Sequence, residues 1–211
     1  INYSYIFHFV TALGMVTLFM FVDFNTISPG ANDNLTGTYA AVCALRMLDM
    51  AGVDFENTEV CAMITDGEEA GLRGCKSWAK NHYDEYVNSG VETVVLCVDT
   101  LTDREYLRVY NKDMTGTVKN NQQFSQLVMD ASKDAGHDDI ELSSVFFGSS
   151  DAAAFSQAGI TATCLAAMDP RPADYYHNRR DTADRLVPET IKTGFDVIIS
   201  TILNFDEKGL N

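Results

Sequence analysis

The sequence predicts an α/β domain of three layers, a mainly parallel mixed sheet with helices on both faces. Strand-like apolar runs alternate with stretches of helical periodicity along the chain, and that alternation builds parallel sheets covered on both sides. The chain has 211 residues, 46% of them apolar and only four of them proline, which is enough for one sizeable core. No linker-like stretch, internal repeat or low-complexity tract divides it, so residues 1–211 read as a single domain. The chain opens on Ile1 rather than Met, and a further N-terminal piece is expected to precede it.

Residues 6–22 are almost wholly apolar, which raises the possibility of a transmembrane helix. The run is short, carries His8, Thr11 and Thr17, and is rich in the strand formers Phe, Val and Tyr. Leu13-Gly14 divides it into two predicted buried strands, 3–12 and 15–23, and no membrane contact is expected. The second strand runs into Asp23-Phe24-Asn25-Thr26 and the turn-rich loop Ser28-Pro29-Gly30-Ala31-Asn32-Asp33-Asn34. A helix follows, with Tyr39, Val42, Cys43 and Met47 beside Ala40, Leu48 and Ala51 at helical spacing and Gly52 as its stop.

The next unit is Val60-Cys61-Ala62-Met63-Ile64-Thr65-Asp66-Gly67-Glu68-Glu69. Residues 60–65 read as a strand, Gly67 as a turn, and residues 70–80 as a helix. Residues 91–99 form a predicted buried strand ending on Asp99, and 101–121 are polar with one strand-like run at 106–110. An amphipathic helix is expected over 124–135. Residues 145–148 lead through Ser149-Ser150-Asp151 to a short helix at 152–157, and 160–166 is another strand. The loop 169–184 carries Tyr175-Tyr176-His177-Asn178. Pro188 opens a final helix whose apolar face is Ile191, Phe195, Ile198, Ile199, Ile202 and Phe205.

Open α/β sheets bind ligands beyond the carboxyl ends of their strands. Asp23, Asp33, Glu68, Glu69, Asp99 and His177 all fall at predicted strand ends or in adjoining loops. Five carboxylates and one imidazole on one rim repel one another, and a pair of divalent cations would relieve the repulsion. Oxygen and imidazole donors without thiolate suit zinc, manganese or cobalt in a hydrolytic site. The adjacent Glu68 and Glu69 point in different directions, so one can hold a metal while the other handles a proton. The plainer reading of this pair is an acidic turn opening a helix.

Thirty acidic against fifteen basic residues give a net charge of −15, which disfavours nucleic acid and anionic membrane as partners. Five cysteines cannot all pair, and no CxxC occurs, so neither a redox motif nor a thiolate zinc site is indicated and a reducing compartment is favoured.

The segments Gly30-Ala31-Asn32-Asp33-Asn34, Asp66-Gly67-Glu68-Glu69-Ala70-Gly71-Leu72, Val98-Asp99, Gly148-Ser149-Ser150-Asp151 and Tyr176-His177-Asn178-Arg179-Arg180-Asp181-Thr182 together resemble the di-zinc aminopeptidases. That group includes the bacterial leucyl aminopeptidases, aminopeptidase Y and glutamate carboxypeptidase II. The segments occur in the family's order, from about residue 2 to 205. The resemblance implies the zinc-exopeptidase fold, with Asp33 bridging two metals and joined to Asn34 by a cis peptide. It implies that Glu69 and His177 complete one metal site and that Asp99 and Asp23 serve the other. Glu68 would be the general base, acting on a metal-bound water. The substrate would be a peptide with a free N-terminus, its amine held by acidic groups and metal.

The family carries His-aromatic-Asp where this chain has Asp23-Phe24-Asn25. The Asp23, Asp33 and Asp99 site is then all carboxylate, which favours harder ions. One tightly bound zinc and a second, weaker or different cation are therefore expected. The family's histidine after the Ser-Asp pair is Ala152 here. A glutaminyl-cyclase-like enzyme with one zinc and a non-catalytic binding module are the alternatives, and retention of Glu68 argues against the second. For location, the resemblance favours a secreted or cell-envelope protein, whereas the unpaired cysteines favour the cytoplasm.

Overall fold

The apolar run ending on Asp99 is a strand, β1 (Val94–Asp99), half-buried rather than buried, and it lies parallel to β5 (Thr161–Ala167) with Asp99 opposite Ala166. In the computed structural model, which describes residues 3–20 and 27–210, three further strands complete the sheet. These are β2 (Leu107–Asp113), β3 (Val118–Lys119) and β4 (Leu142–Ser144). The order is β1-β5-β2-β3, with β4 also pairing to β2. The sheet is mixed: β1–β5 and β2–β4 are parallel, and β2 is antiparallel to β5 and β3.

Period-2 alternation divides the strands between two cores. Leu165 and Ala167 of β5, with Leu107 and Val109 of β2, pack under α2 (Leu35–Met50), α4 (Gln122–Asp134) and α6 (Pro188–Lys208). Ala162, Cys164 and Ala166 of β5, with Tyr110 of β2, face α3 (Arg73–Tyr86) and α5 (Asp151–Gln157). Helices thus cover both faces, as expected for the α/β class. Pro188 stands in the first turn of α6, where its missing N–H costs no helical bond.

Two expectations are corrected. The predicted strands 3–12 and 15–23 are replaced, over the described residues, by one helix, α1 (Tyr3–Met20). An apolar run can satisfy its backbone as a helix with no partner, whereas a strand needs a neighbour. Thr11 and Thr17 turn their hydroxyls back onto Phe7 O (2.9 Å) and Gly14 O (2.8 Å). Side chains from residue 3 to 18 are all exposed. Among the described residues no helix is long and apolar enough to cross a membrane. Residues 60–65 are irregular rather than a ladder strand, and Cys61, assigned to an apolar strand, is exposed.

Candidate metal centre

Asp33 is delivered by the loop 27–34 that opens α2. Gly30 takes φ +67°, and a Cβ there would stand 2.8 Å from Asp33 O, so the tight turn requires glycine. The Asp33–Asn34 peptide is cis. The two asparagines flanking Asp33 tie the loop to the end of β1. Asn34 caps α2, its Oδ1 accepting from Gly37 N (2.9 Å) and Thr100 N (3.2 Å), while its Nδ2 donates to Val98 O (2.9 Å). Asn32 Oδ1 accepts from Leu101 N (3.0 Å) and Thr102 N (3.2 Å).

Glu68 and Glu69 sit on the turn before α3, with Glu68 O accepting from Gly71 N (2.8 Å) and Leu72 N (2.7 Å). The preceding segment is held from the other side, where Thr65 Oγ1 donates to Asp151 Oδ2 at the start of α5 (2.9 Å). His177 comes from the loop after β5 and adopts φ +55°. The Tyr176 ring stacks on its imidazole, with centroids 3.7 Å apart.

These loops bring Asp33, Glu69 and His177 together. His177 Nε2 lies 3.1 Å from Asp33 Oδ2 and 2.9 Å from Glu69 Oε1. One donor atom from each residue falls within 4.8 Å of the other two. Hydrogen bonds to Asp33 and then Glu69 raise the imidazole to about 10, so the metal-free ring is an imidazolium bridging two carboxylates. Glu68, half-buried beside them, is pushed up to about 7, first by burial and then by the charges of Glu69, Asp151 and Asp33. Asp99 is held well above the carboxylate range by burial and by Asp33, and its Oδ1 is buried without a hydrogen-bond partner among the described residues. An orphaned carboxylate oxygen among like charges is a group that a cation would satisfy. Two carboxylates and one imidazole with no thiolate fit zinc.

The structure therefore gathers Asp33, Glu69 and His177, with Glu68 adjoining and Asp99 electrostatically coupled to Asp33 and Glu68. Asp23 and Asn25 lie outside the described residues. Sequence reasoning assigned no role to Asp151, Tyr176 or Asp181. Tyr176 and Asp181 sit in the same motif as His177, and the buried Asp181 carries the one signal available, a carboxylate four residues beyond a ligand.

The model of peptidase family M28 matches residues 15–202. Aminopeptidase YwaD of Bacillus subtilis (strain 168) is 27% identical over 194 residues, covering 83% of this chain and 37% of that protein. The structure of a zinc aminopeptidase from Bacillus subtilis superposes with a TM-score of 0.66 at 24% identity, over 83% of this chain and 42% of that one. A glutaminyl cyclase from an Acidobacteriales bacterium gives 0.62 at 16% identity, over 85% and 63%. At such identities the two structural likenesses concern the fold. The chain spans about two fifths of the length of either aminopeptidase.

Proposed function

The chain belongs to peptidase family M28, and on that premise we propose that it is a zinc-dependent aminopeptidase that removes residues from the N-terminus of peptides. The observation that carries this reading is the convergence of Asp33, Glu69 and His177 on one point with Glu68 beside them. Asp33, Glu69 and His177 would hold a tightly bound zinc, and Asp33 and Asp99, with Asp23, a weaker second cation. Zinc supplies Lewis acidity there, polarising the scissile carbonyl and acidifying water.

Glu68 acts as general base, since a carboxyl raised towards neutrality is suited to take a proton at physiological pH. It then returns that proton to the leaving amine. Acidic groups and metal at the site would hold the substrate's ammonium group, which selects a free N-terminus. His177 contributes no proton when its Nε2 is a ligand.

A second reading, a single-zinc glutaminyl cyclase, is favoured by the three-residue donor set with one histidine and by the fold shared with such an enzyme. Aminoacyl-anilides and glutaminyl peptides, each assayed with and without a chelator, separate the two. Chelator-sensitive anilide hydrolysis is expected. Cyclisation of glutaminyl peptides without anilide hydrolysis refutes the aminopeptidase reading.

A further inference from the structure

Asp181 is fully buried, yet among the described residues it has no basic partner within ion-pair distance. Its charge is met by backbone donors from one short stretch. Asn32 N donates to Oδ1 (2.8 Å), Asp33 N donates to Oδ2 (3.0 Å), and Ala31 N donates to the Asp181 carbonyl (3.2 Å). Two consecutive N–H groups thus meet the carboxylate, one on each oxygen, and the N–H before them meets the residue's own carbonyl. Asp181 belongs to the His177 loop, and its own N–H donates to Asn178 O (3.1 Å). One side chain therefore joins two segments 148 residues apart, one carrying Asp33 and the other His177.

We propose that Asp181 is a positioning residue: through the N–H groups of Asn32 and Asp33 it sets Asp33 against His177 and so assembles the donor set for zinc. This rests on the zinc site proposed above. Besides the His177–Asp33 pair whose geometry is being set, and the Ala31 N–Asp181 O bond, Ser28 Oγ donates to Asn178 O (2.9 Å) and Asn32 Nδ2 to Tyr175 Oη (3.4 Å) between the same segments, but neither of these two touches Asp33. Asp181 is bonded to the N–H of Asp33 directly, so a shift of its carboxylate moves the ligand. Groups that orient metal ligands typically change metal affinity by about 10–100-fold when altered.

The test is D181N on the full chain. The amide keeps the shape of the carboxylate but turns one acceptor into a donor facing an N–H. Zinc affinity is measured by competition with a chromogenic chelator, alongside thermal unfolding of the metal-free and zinc-loaded forms. The expected result is zinc binding weakened about 10–100-fold, with a smaller rise in Tm on adding zinc than in the unmodified chain. A variant that loses Tm in the metal-free form yet binds zinc as tightly as the unmodified chain shows that Asp181 is only structural, and overturns the proposal. An unmodified chain that binds no zinc overturns the zinc reading and this inference together.

If D181N does not fold, amide exchange in the unmodified chain decides the matter. Coupling is reciprocal, so adding zinc should slow exchange at Asn32 and Asp33. Unchanged exchange there, with zinc demonstrably bound, overturns the proposal.

Discussion

Replacing Glu68 by Gln separates the roles of two neighbouring glutamates. The substitution keeps the volume and hydrogen-bonding capacity of a half-buried side chain while removing its basicity. Loss of a general base lowers the rate by about 10²–10⁴, or about 2.7–5.4 kcal/mol of transition-state stabilisation at 1.36 kcal/mol per tenfold. The proposed role also sets the form of the pH profile. With the carboxylate as the active form, activity should fall about tenfold per pH unit below the carboxyl pKa and level off above it. In the metal-free protein that group lies at about 7 through burial and the charges of Glu69, Asp151 and Asp33. Cations on Asp33 and Glu69 offset the like-charge part and leave the burial part, so the acidic limb of the loaded enzyme should lie below 7. The assay is kcat and kcat/KM on an aminoacyl-anilide from pH 5 to 8, with zinc content determined on the same samples. Glu68→Gln should keep its zinc and lose both the rate and the acidic limb, whereas Glu69→Gln should lose zinc. A Glu68→Gln enzyme retaining more than about a tenth of the rate, or one purified without zinc, refutes this assignment.

Three further outcomes follow from particular contacts. Gly37→Ala would place a Cβ 2.3 Å from Val98 O and 2.5 Å from Asn34 Oδ1, forcing α2 away from β1; a loss of about 1–3 kcal/mol should appear as a lower urea midpoint, with weakened zinc binding because Asn34 adjoins Asp33. In the metal-free protein His177 is raised to about 10 by Asp33 and Glu69. Because the folded value exceeds the unfolded one, that stabilisation is fully present below about 6.5 and lost as pH rises through 10; thermal unfolding of chelator-treated protein should show a decline across that window that His177→Gln flattens. Of five free cysteines, Cys43 and Cys61 are exposed, whereas Cys75 is buried and pushed up to about 12 by burial and by Asp151. A chromogenic thiol reagent at pH 8 should label the first two quickly and Cys75 only on unfolding.

Features with local causes were legible in the sequence. The strand ending on Asp99 follows the apolar run 94–98, and the strand at 160–166 is apolar apart from Thr161 and Thr163; both occur within three residues of their expected limits. Pro188 marked the start of the last helix, and Gly52, at φ +64°, marked the stop of α2. Asp33, Glu69 and His177 were legible because each sits in a short motif next to a turn. The N-terminal run was not, because residues 6–22 are apolar on every side and show no period that separates strand from helix. Residues 60–65 have strand composition, but a strand exists only where a neighbour accepts its bonds, and composition does not report neighbours. The role of Asp181 was hidden for a similar reason: its partners are the N–H groups of residues 31–33, which are alike in every sequence.

The contacts around the donor set divide it into two halves with separate anchors. Asp33, Asp99 and His177 belong to one half, in which Asn32 and Asn34 bind the Asp33 loop to the end of β1 and Asp181 joins that loop to the His177 loop. Glu68 and Glu69 belong to the other, seated on α3 and fastened to α5 through Thr65 and Asp151. Across the gap between the halves the direct polar link among the described residues is the His177–Glu69 ion pair of 2.9 Å, half-exposed and therefore weak. A cation held by Asp33, Glu69 and His177 replaces that link with bonds to both halves at once. Zinc should then act as a cross-link as well as a reagent, stabilising the fold by about 2.7 kcal/mol at a free concentration 100 times its Kd. Since the cross-link reaches the second half only through Glu69, Glu69→Gln should abolish most of the zinc-dependent rise in Tm, and Glu68→Gln should leave it intact.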